Sequence, residues 1–199
     1  MEDRVMNEYK TRKHKDKLST RDMTLIAMFT AILAICSWIY IPTTIPFTLQ
    51  NFGVFLAVSV LGGKRGSLAV FIYILLGIMG VPFFAGFTGG AGMLFGNTGG
   101  YIIGFLLSAL TMWLMEVLLG KKKMILLLSM VCGLLVCYLF GTIWFIQVYS
   151  MNTGAIGIWG ALAMCVIPFI IPDCIKIGLA FAFSLSLKRS LRLVSKKGE

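Results

Sequence analysis

The sequence predicts an all-α integral membrane protein: a six-transmembrane-helix bundle with both the N- and the C-terminus in the cytoplasm. Three observations predict it. Of 199 residues, 58% are hydrophobic and only 13% are charged, with a mean hydropathy of +0.91; a soluble domain averages about 25% charged residues. No acid or base occurs from Met23 to Gly63, and Glu116 is the only one from Gly66 to Gly120. The bases themselves are confined to short blocks between apolar runs. The start does not read as a cleavable signal peptide, because about twenty largely polar residues precede the first apolar run.

A spanning helix needs about 20 residues, within a range of roughly 17–25. Six segments can be laid down in order. The first covers 23–41 and is stopped by Pro42; the second is short, 47–61. The third covers 67–81 and is stopped by Pro82, because proline cannot donate to the preceding turn. The fourth, fifth and sixth cover 100–119, 124–149 and 161–187. The second and third are short and rich in Gly and Ala, and an alternative reading fuses them into a re-entrant hairpin. The chain thus divides into a basic cytoplasmic tail (1–22), a membrane domain with an outward-facing pocket (23–187) and a second basic tail (188–199).

The placement of charge tests that count. The formal net charge is +10, a value that also occurs in nucleic-acid-binding proteins. Here the bases lie in the N-terminal tail, at Lys64 and Arg65, at Lys121 to Lys123 and in the C-terminal tail. With six helices and a cytoplasmic N-terminus, every base except Lys176 falls on the inner side, and the three outer segments (42–46, 82–99 and 150–160) carry no charge. That is a topology signal and not a groove-binding stripe, so no nucleic acid is implied. Trp38, Tyr40, Trp144, Tyr149 and Trp159 fall at the predicted outer boundary, where amphipathic rings favour the headgroup level. The tail, with Arg4, Lys10, Arg12, Lys13, Lys15, Lys17 and Arg21, suits association with anionic lipid.

The five cysteines all fall in apolar segments and none forms a CxxC pair, so neither metal nor disulfide is expected. His14, the only histidine, lies in the basic tail. No cofactor is implied: the GxxxxGK[ST] and GxGxxG patterns are both absent.

Against this background Asp173 and Lys176 stand out. They are opposite charges three residues apart, one turn apart on a helix, inside a stretch from Met124 to Leu187 that is otherwise uncharged. A buried ionisable residue at a helix centre costs about 2.5–3.5 kcal/mol on insertion scales, which makes it a functional candidate. The alternative is a self-neutralising pair that orients one helix inside a bundle. Counting back from Lys188 at about 1.5 Å per residue places Asp173 roughly 22 Å and Lys176 roughly 18 Å from the cytoplasmic boundary. In a core about 30 Å thick both lie in the outer half. Pro168 and Pro172 lie just outward, and each frees a carbonyl that membrane tolerates only where protein or a water-filled cavity receives it. The sixth helix is therefore expected to line a cavity open to the outside, a simple Pro kink being the alternative.

The segment 81–101 mixes phenylalanines with a dense set of glycines and with Thr88, Asn97 and Thr98. A flexible linker would lack the phenylalanines. The composition suits a loop folded back into the bundle mouth, with glycines bringing backbone amides close to a ligand. Gly96, Gly100 and Gly104 also form a small-xxx-small series for close helix packing. Together the two regions describe a largely apolar pocket with one cation, one anion and a few amides and hydroxyls. It suits a mostly apolar small molecule with a carboxylate and a compact hydrogen-bonding head. Lys176 would take the carboxylate, while Asp173 and Asn97 would suit NH donors and a carbonyl. Thr43, Thr44, Thr48, Gln50 and Asn51 stand at the rim, as ligand contacts or as interfacial caps. On the first helix Ala27, Ala31 and Ala34 recur at i, i+4 and i+7, a face for close approach of a partner helix or of the chain's own bundle.

The segments 45–105 and 168–183 carry further motifs in order: a PFTLQ start, a GKRG turn, a VPFFAGFTGG run, a TGGYIIGF run and the PFIIPDCIK pattern. In these the chain resembles the BioY family, the biotin-binding S components of energy-coupling factor (ECF) transporters. The resemblance spans 23–187. It implies the six-helix S-component fold, biotin as the transported ligand and a bacterial plasma membrane location. It implies that Asp173 and Lys176 contact the ligand alongside the glycine-rich loop. It further implies that Ala27 and Ala31 dock on a transmembrane coupling (T) subunit joined to two cytoplasmic ATPases. The expected ligand-contacting residues are Asp173, Lys176, Asn97, Thr88, Gly89, Gly90, Tyr101 and Gln50, with Ala27, Ala31 and Ala34 docking the partner. One departure is Asn97, where many relatives carry Pro in a GPTGGY run; Asn restores a backbone amide and adds a side-chain amide. Alternatives are an autonomous biotin facilitator and an S component for another vitamin. An intramembrane enzyme is disfavoured, since the apolar stretch holds no histidine and no carboxylate cluster.

Overall fold

The computed structural model describes residues 18–43 and 45–196, with side chains as far as Arg189. The expectations for Thr44, His14 and the bases of the tail up to Lys17 lie outside the described residues. Helix α1 runs Thr20–Trp38. The Ser19 backbone N–H donates to Asp22 Oδ2 at 3.2 Å, which satisfies one of the orphan donors that every helix start leaves. Asp22 also pairs with Arg65 at 2.8 Å and so ties the start of α1 to the start of α3.

The sequence extends the first helix to 41 and begins the second at 47; the structure turns this border into a hairpin. Strands β1 (Tyr40–Ile41) and β2 (Phe47–Thr48) pair antiparallel, with Tyr40 opposite Thr48 and Ile41 opposite Phe47. Pro42 and Pro46 flank the connection, where neither has a ladder bond to lose. Helix α2 (Gln50–Leu61) and α3 (Gly63–Ile78) then form a hairpin with Gly62 alone between them. Gly62 has φ +84, a conformation other residues rarely adopt. At Gly66 a Cβ would lie 2.4 Å from the Val58 backbone, so the two helices touch there through glycine.

After α3 the chain folds a compact loop holding one bridge, Phe84 to Thr88, and the single-turn helix α4 (Gly92–Phe95). Helices α5 (Gly99–Leu119) and α6 (Lys123–Asn152) follow and pack on each other most extensively. Their interface is built on glycine. A Cβ at Gly100 would lie 2.2 Å from Trp144 Cβ, and one at Gly104 3.0 Å from Cys137 Sγ. From the other side, one at Gly133 would lie 2.6 Å from Ser108 Oγ and one at Gly141 2.4 Å from the Tyr101 ring. Without a hydrophobic driving force between lipid-immersed helices, such close approach is what holds them.

The segment read as one helix over 161–187 is two. Helix α7 (Ile158–Cys165) ends at Val166, with φ −125 and ψ −55, and α8 (Ile167–Lys196) starts afresh. Pro168 explains the break, since it cannot donate into the preceding turn but is tolerated in the first turn of a new helix. Pro172 sits inside α8.

Among the described residues, four helices are long and apolar enough to cross a membrane: α1, α5, α6 and the Ile167–Arg189 part of α8. With 12 and 16 residues, α2 and α3 are about 18 and 24 Å long, short of a hydrocarbon core about 30 Å thick. Large apolar side chains such as Leu118, Leu139 and Ile171 point outward, as a lipid-facing surface requires.

Two hollows open at opposite ends of the bundle, one among the loops and one among the basic residues. Between them each of four helices contributes buried apolar side chains: Val54 and Phe55 of α2, Ala109 of α5, Met130 and Leu134 of α6, and Ile177 and Ala180 of α8. The core is a layer that separates the hollows.

Because Gly141 has no room for a methyl group, Gly141→Ala is expected to destabilise the bundle by about 1–3 kcal/mol through overpacking against Tyr101. The melting temperature of the purified protein in detergent measures it, and an unchanged value would contradict the packing described.

Candidate functional site

The hollow at the loop end is built on the Asp173–Lys176 pair. Both side chains are buried, 1% and 4% exposed. One turn of α8 separates them, so Lys176 Nζ reaches Asp173 Oδ1 at 2.7 Å. The other carboxylate oxygen accepts two bonds, from the Tyr138 hydroxyl at 2.5 Å and from the Asn51 amide at 3.1 Å. Burying two charges costs several kcal/mol per ion, and mutual attraction offsets this only when further hydrogen bonds satisfy the remaining lone pairs. Asp173 meets that condition with three donors from three helices. Lys176 does not exhaust its own capacity on the pair. Its Nζ lies 4.0 Å from the centroid of the Phe47 ring, a cation–π contact, and an ammonium has three N–H groups to place.

The β1–β2 hairpin sets this geometry. It brings Phe47 over Lys176, where Phe47 also stacks on Phe169 at 5.8 Å. The next residue, Thr48, donates its hydroxyl to the Gln50 side-chain oxygen and accepts the Gln50 backbone N–H. The Gln50 amide donates to the Tyr73 hydroxyl at 2.5 Å, and Tyr73 donates to the Phe83 carbonyl at 3.0 Å. Ser37 donates to the same carbonyl. This relay fastens α2, α3, α1 and the loop after α3 into one wall. Each polar group in it is paired, as burial demands.

The cavity beside the pair measures about 170 Å³. Its polar lining is Thr48, Gln50, Asn51, Thr98, Tyr101, Tyr138, Asp173 and Lys176, and its apolar lining includes Ile45, Phe84, Met93, Ile102, Phe105 and Phe169. Tyr101 is steadied by Thr142 at 3.1 Å. The arrangement offers one cationic donor with capacity left over, a carboxylate held by three donors and amide groups inside an aromatic enclosure.

Of the residues singled out from the sequence, Asp173, Lys176, Gln50, Tyr101, Thr48, Asn51 and Thr98 line this cavity, and Thr88, Gly89, Gly90, Asn97 and Thr43 do not. The glycine-rich loop reaches the cavity through Phe84, Ala85, Met93 and Thr98. Thr88 instead donates to the Ala85 carbonyl at 2.9 Å. Gly90, at φ +100, donates its N–H to the Gly77 carbonyl at 2.7 Å. A Cβ on Gly89 would lie 2.4 Å from the Val81 carbonyl oxygen. These two glycines close the loop onto the end of α3. On α1, Ala27 and Ala31 are exposed, whereas Ala34 is 2% exposed in the chain's own core, where α2 packs against α1. Among the described residues no group of three or more His, Cys, Asp or Glu comes together to hold a metal, and the described cysteines are unpaired.

The sequence reading missed Tyr138 and Phe47. Tyr138 is a phenol midway along a long apolar helix, and nothing near it in sequence marks it as a partner of Asp173. Phe47 belongs to a two-residue strand too short for any periodicity to show.

A family model described as the BioY family matches residues 10–193. This chain belongs to the BioY family. A protein named biotin transporter BioY from Thermotoga maritima is 42% identical over 172 residues, covering 85% of this chain and 96% of that one. A probable biotin transporter BioY from Pyrococcus horikoshii is 38% identical over 164 residues, covering 82% and 93%. Among solved structures, one described as the S-component for biotin from an ECF-type ABC transporter aligns with a TM-score of 0.74 at 26% identity, covering 85% of this chain and 91% of that one. The loop-end hollow and its ion pair are thus features of a BioY chain, a transporter component and not an enzyme.

The capped pair makes a stability prediction. Lys176→Met leaves Asp173 buried without its counter-ion and is expected to cost about 3–5 kcal/mol, while Asp173→Leu combined with Lys176→Met recovers most of that loss. Thermal unfolding of the two variants decides it; equal destabilisation would show that the pair does not act as a unit.

Proposed function

We propose that this chain is the biotin-binding subunit of an ECF-type uptake transporter. It captures biotin from outside the cell and delivers it through an ATP-driven complex. The observation that carries the reading is the asymmetry of the buried pair. Asp173 has three donors, whereas Lys176 has N–H capacity left at the wall of an aromatic hollow. A carboxylate on a mostly apolar ligand is the natural complement of such a lysine. Biotin ends in a carboxylate on an aliphatic chain and carries a compact ureido ring with NH donors and a carbonyl. Asn51, Gln50, Tyr101 and Thr98 suit that head. The names carried by the relatives and by the structural neighbour support the same ligand.

A hollow of about 170 Å³ is smaller than the 300–1,000 Å³ usual for a ligand site. Binding is therefore coupled to movement of the loop that carries Phe84 and Met93. Thr88, Gly89, Gly90 and Asn97 act in that closure, through the loop's hold on α3.

The topology we propose has six membrane segments, with α2 and α3 counted as short spans, and both termini in the cytoplasm of a bacterial cell. It rests on charge: Lys64, Arg65 and Lys121 to Lys123 gather at one end of the bundle, away from the hollow. The coupling T subunit docks on the exposed Ala27 and Ala31 face, with two ATPases on the T subunit supplying energy. Ala34 takes no part in that contact.

Losing the Lys176–carboxylate interaction is expected to weaken biotin by about 10- to 150-fold, the equivalent of a charge-assisted hydrogen bond of about 1.5–3 kcal/mol. Calorimetry compares biotin with biotin amide on wild type and on Lys176→Ala. Wild type should discriminate strongly between the two and Lys176→Ala hardly at all; equal discrimination would remove Lys176 from the carboxylate site. Ala27→Leu with Ala31→Leu is expected to abolish co-purification with the coupling subunit while biotin binding stays unchanged. Biotin uptake by a host that expresses this chain alone would replace the powered complex with a facilitator.

A further inference from the structure

The second hollow has no part in the reading above. It measures about 410 Å³ and opens at the basic end of the bundle, between the start of α1, the end of α2, the α5–α6 turn and the last turns of α8. Its lining carries three cations, Arg21, Lys121 and Lys188, against one carboxylate, Glu116. Glu116 is already engaged on both oxygens: Lys121 Nζ lies 3.0 Å from Oε1, and the Gly63 N–H donates to Oε2 at 2.6 Å. The charge balance of the lining is therefore positive.

Two hydroxyls add to it. Ser129 is 3% exposed and donates to the Leu126 carbonyl at 2.7 Å, which leaves its oxygen as an acceptor. Ser59 is 1% exposed and lines the hollow, and its hydroxyl has no hydrogen-bond partner among the described residues. A buried hydroxyl left unpaired is costly, and a ligand oxygen is one thing that satisfies it. Helix α6 begins at the same place, with Ile125 and Leu126 in the lining. Its N-cap, Lys122, makes no side-chain capping bond and no acid stands in the first turn, so the positive end of a 30-residue helix has no acid of its own there. Apolar side chains, Val58 and Met112, form the floor.

Cations, an orphan donor and a bare helix start over an apolar floor describe a seat for a phosphate attached to something greasy. We propose that this hollow binds the headgroup of an anionic phospholipid, the phosphate between Arg21 and Lys188 and within reach of Ser59. The exposed apolar side chains Met23, two residues beyond Arg21, and Met124, just before Ile125, give the acyl chains a surface to follow. The chemistry that is recognised is phosphate, and its source is the membrane in which the helices lie.

The test uses the full-length protein purified in detergent and native mass spectrometry after addition of phosphatidylglycerol or phosphatidylcholine. One phosphatidylglycerol per chain should survive activation that strips phosphatidylcholine. Arg21→Gln with Lys188→Gln should weaken that retention about thirtyfold and Ser59→Ala about fivefold. Lys64→Gln, whose lysine lies outside the hollow, should leave it unchanged. Equal retention of the two lipids, or indifference to both Arg21→Gln/Lys188→Gln and Ser59→Ala, would overturn the proposal. Displacement of the lipid by millimolar inorganic phosphate would make the hollow a free-anion site and overturn its assignment to lipid. Displacement by a soluble poly-glutamate peptide would assign it to an acidic protein partner, with the same result.

Discussion

A carboxylate that three helices satisfy at once is the constraint on which the loop end of this protein depends. Asp173 is 1% exposed, so its charge is tolerable only with donors fixed around it. Lys176 comes from the same helix, Tyr138 from α6 and Asn51 from the first turn of α2. Those three positions dictate where the helices stand relative to α8. The pair is therefore structural and chemical together. Asp173 completes the architecture, and Lys176 is left with capacity facing the cavity.

Glycine carries the same logic where no charge is present. The α5–α6 interface is narrow because Gly100 and Gly104 on one helix, and Gly133 and Gly141 on the other, accept bulk from across the contact. Tyr101 is held between Gly141 and Thr142, so its ring forms a cavity wall without a mobile side chain. At the other end, Gly62 lets α2 and α3 reverse within one residue, and the carboxylate of Glu116 receives the amide of Gly63.

Charge was the most legible property of this sequence. The blocks of bases between apolar runs and the lone acid–lysine pair needed no coordinates to be noticed, because each is rare in an apolar chain. The hairpin 40–48 and the division between α7 and α8 were harder to read. Two-residue strands have no period, and prolines mark a disturbance without saying whether it is a kink or a break. The glycine-rich loop illustrates a different obstacle. Gly89 and Gly90 were read as approaches to a ligand, and the structure uses them to approach Val81 and Gly77. Absence of a side chain signals proximity but not to what. Tyr138 was invisible for the opposite reason, since its partner is 35 positions away.

The apolar layer of Val54, Phe55, Ala109, Met130 and Ala180 has a further consequence. It is a floor without a drain: the fold is a cup and not a tunnel. A solute seated above it can depart only over the rim through which it entered, unless neighbouring helices part. Passage across the bilayer is then a matter of moving the vessel, not of threading its contents.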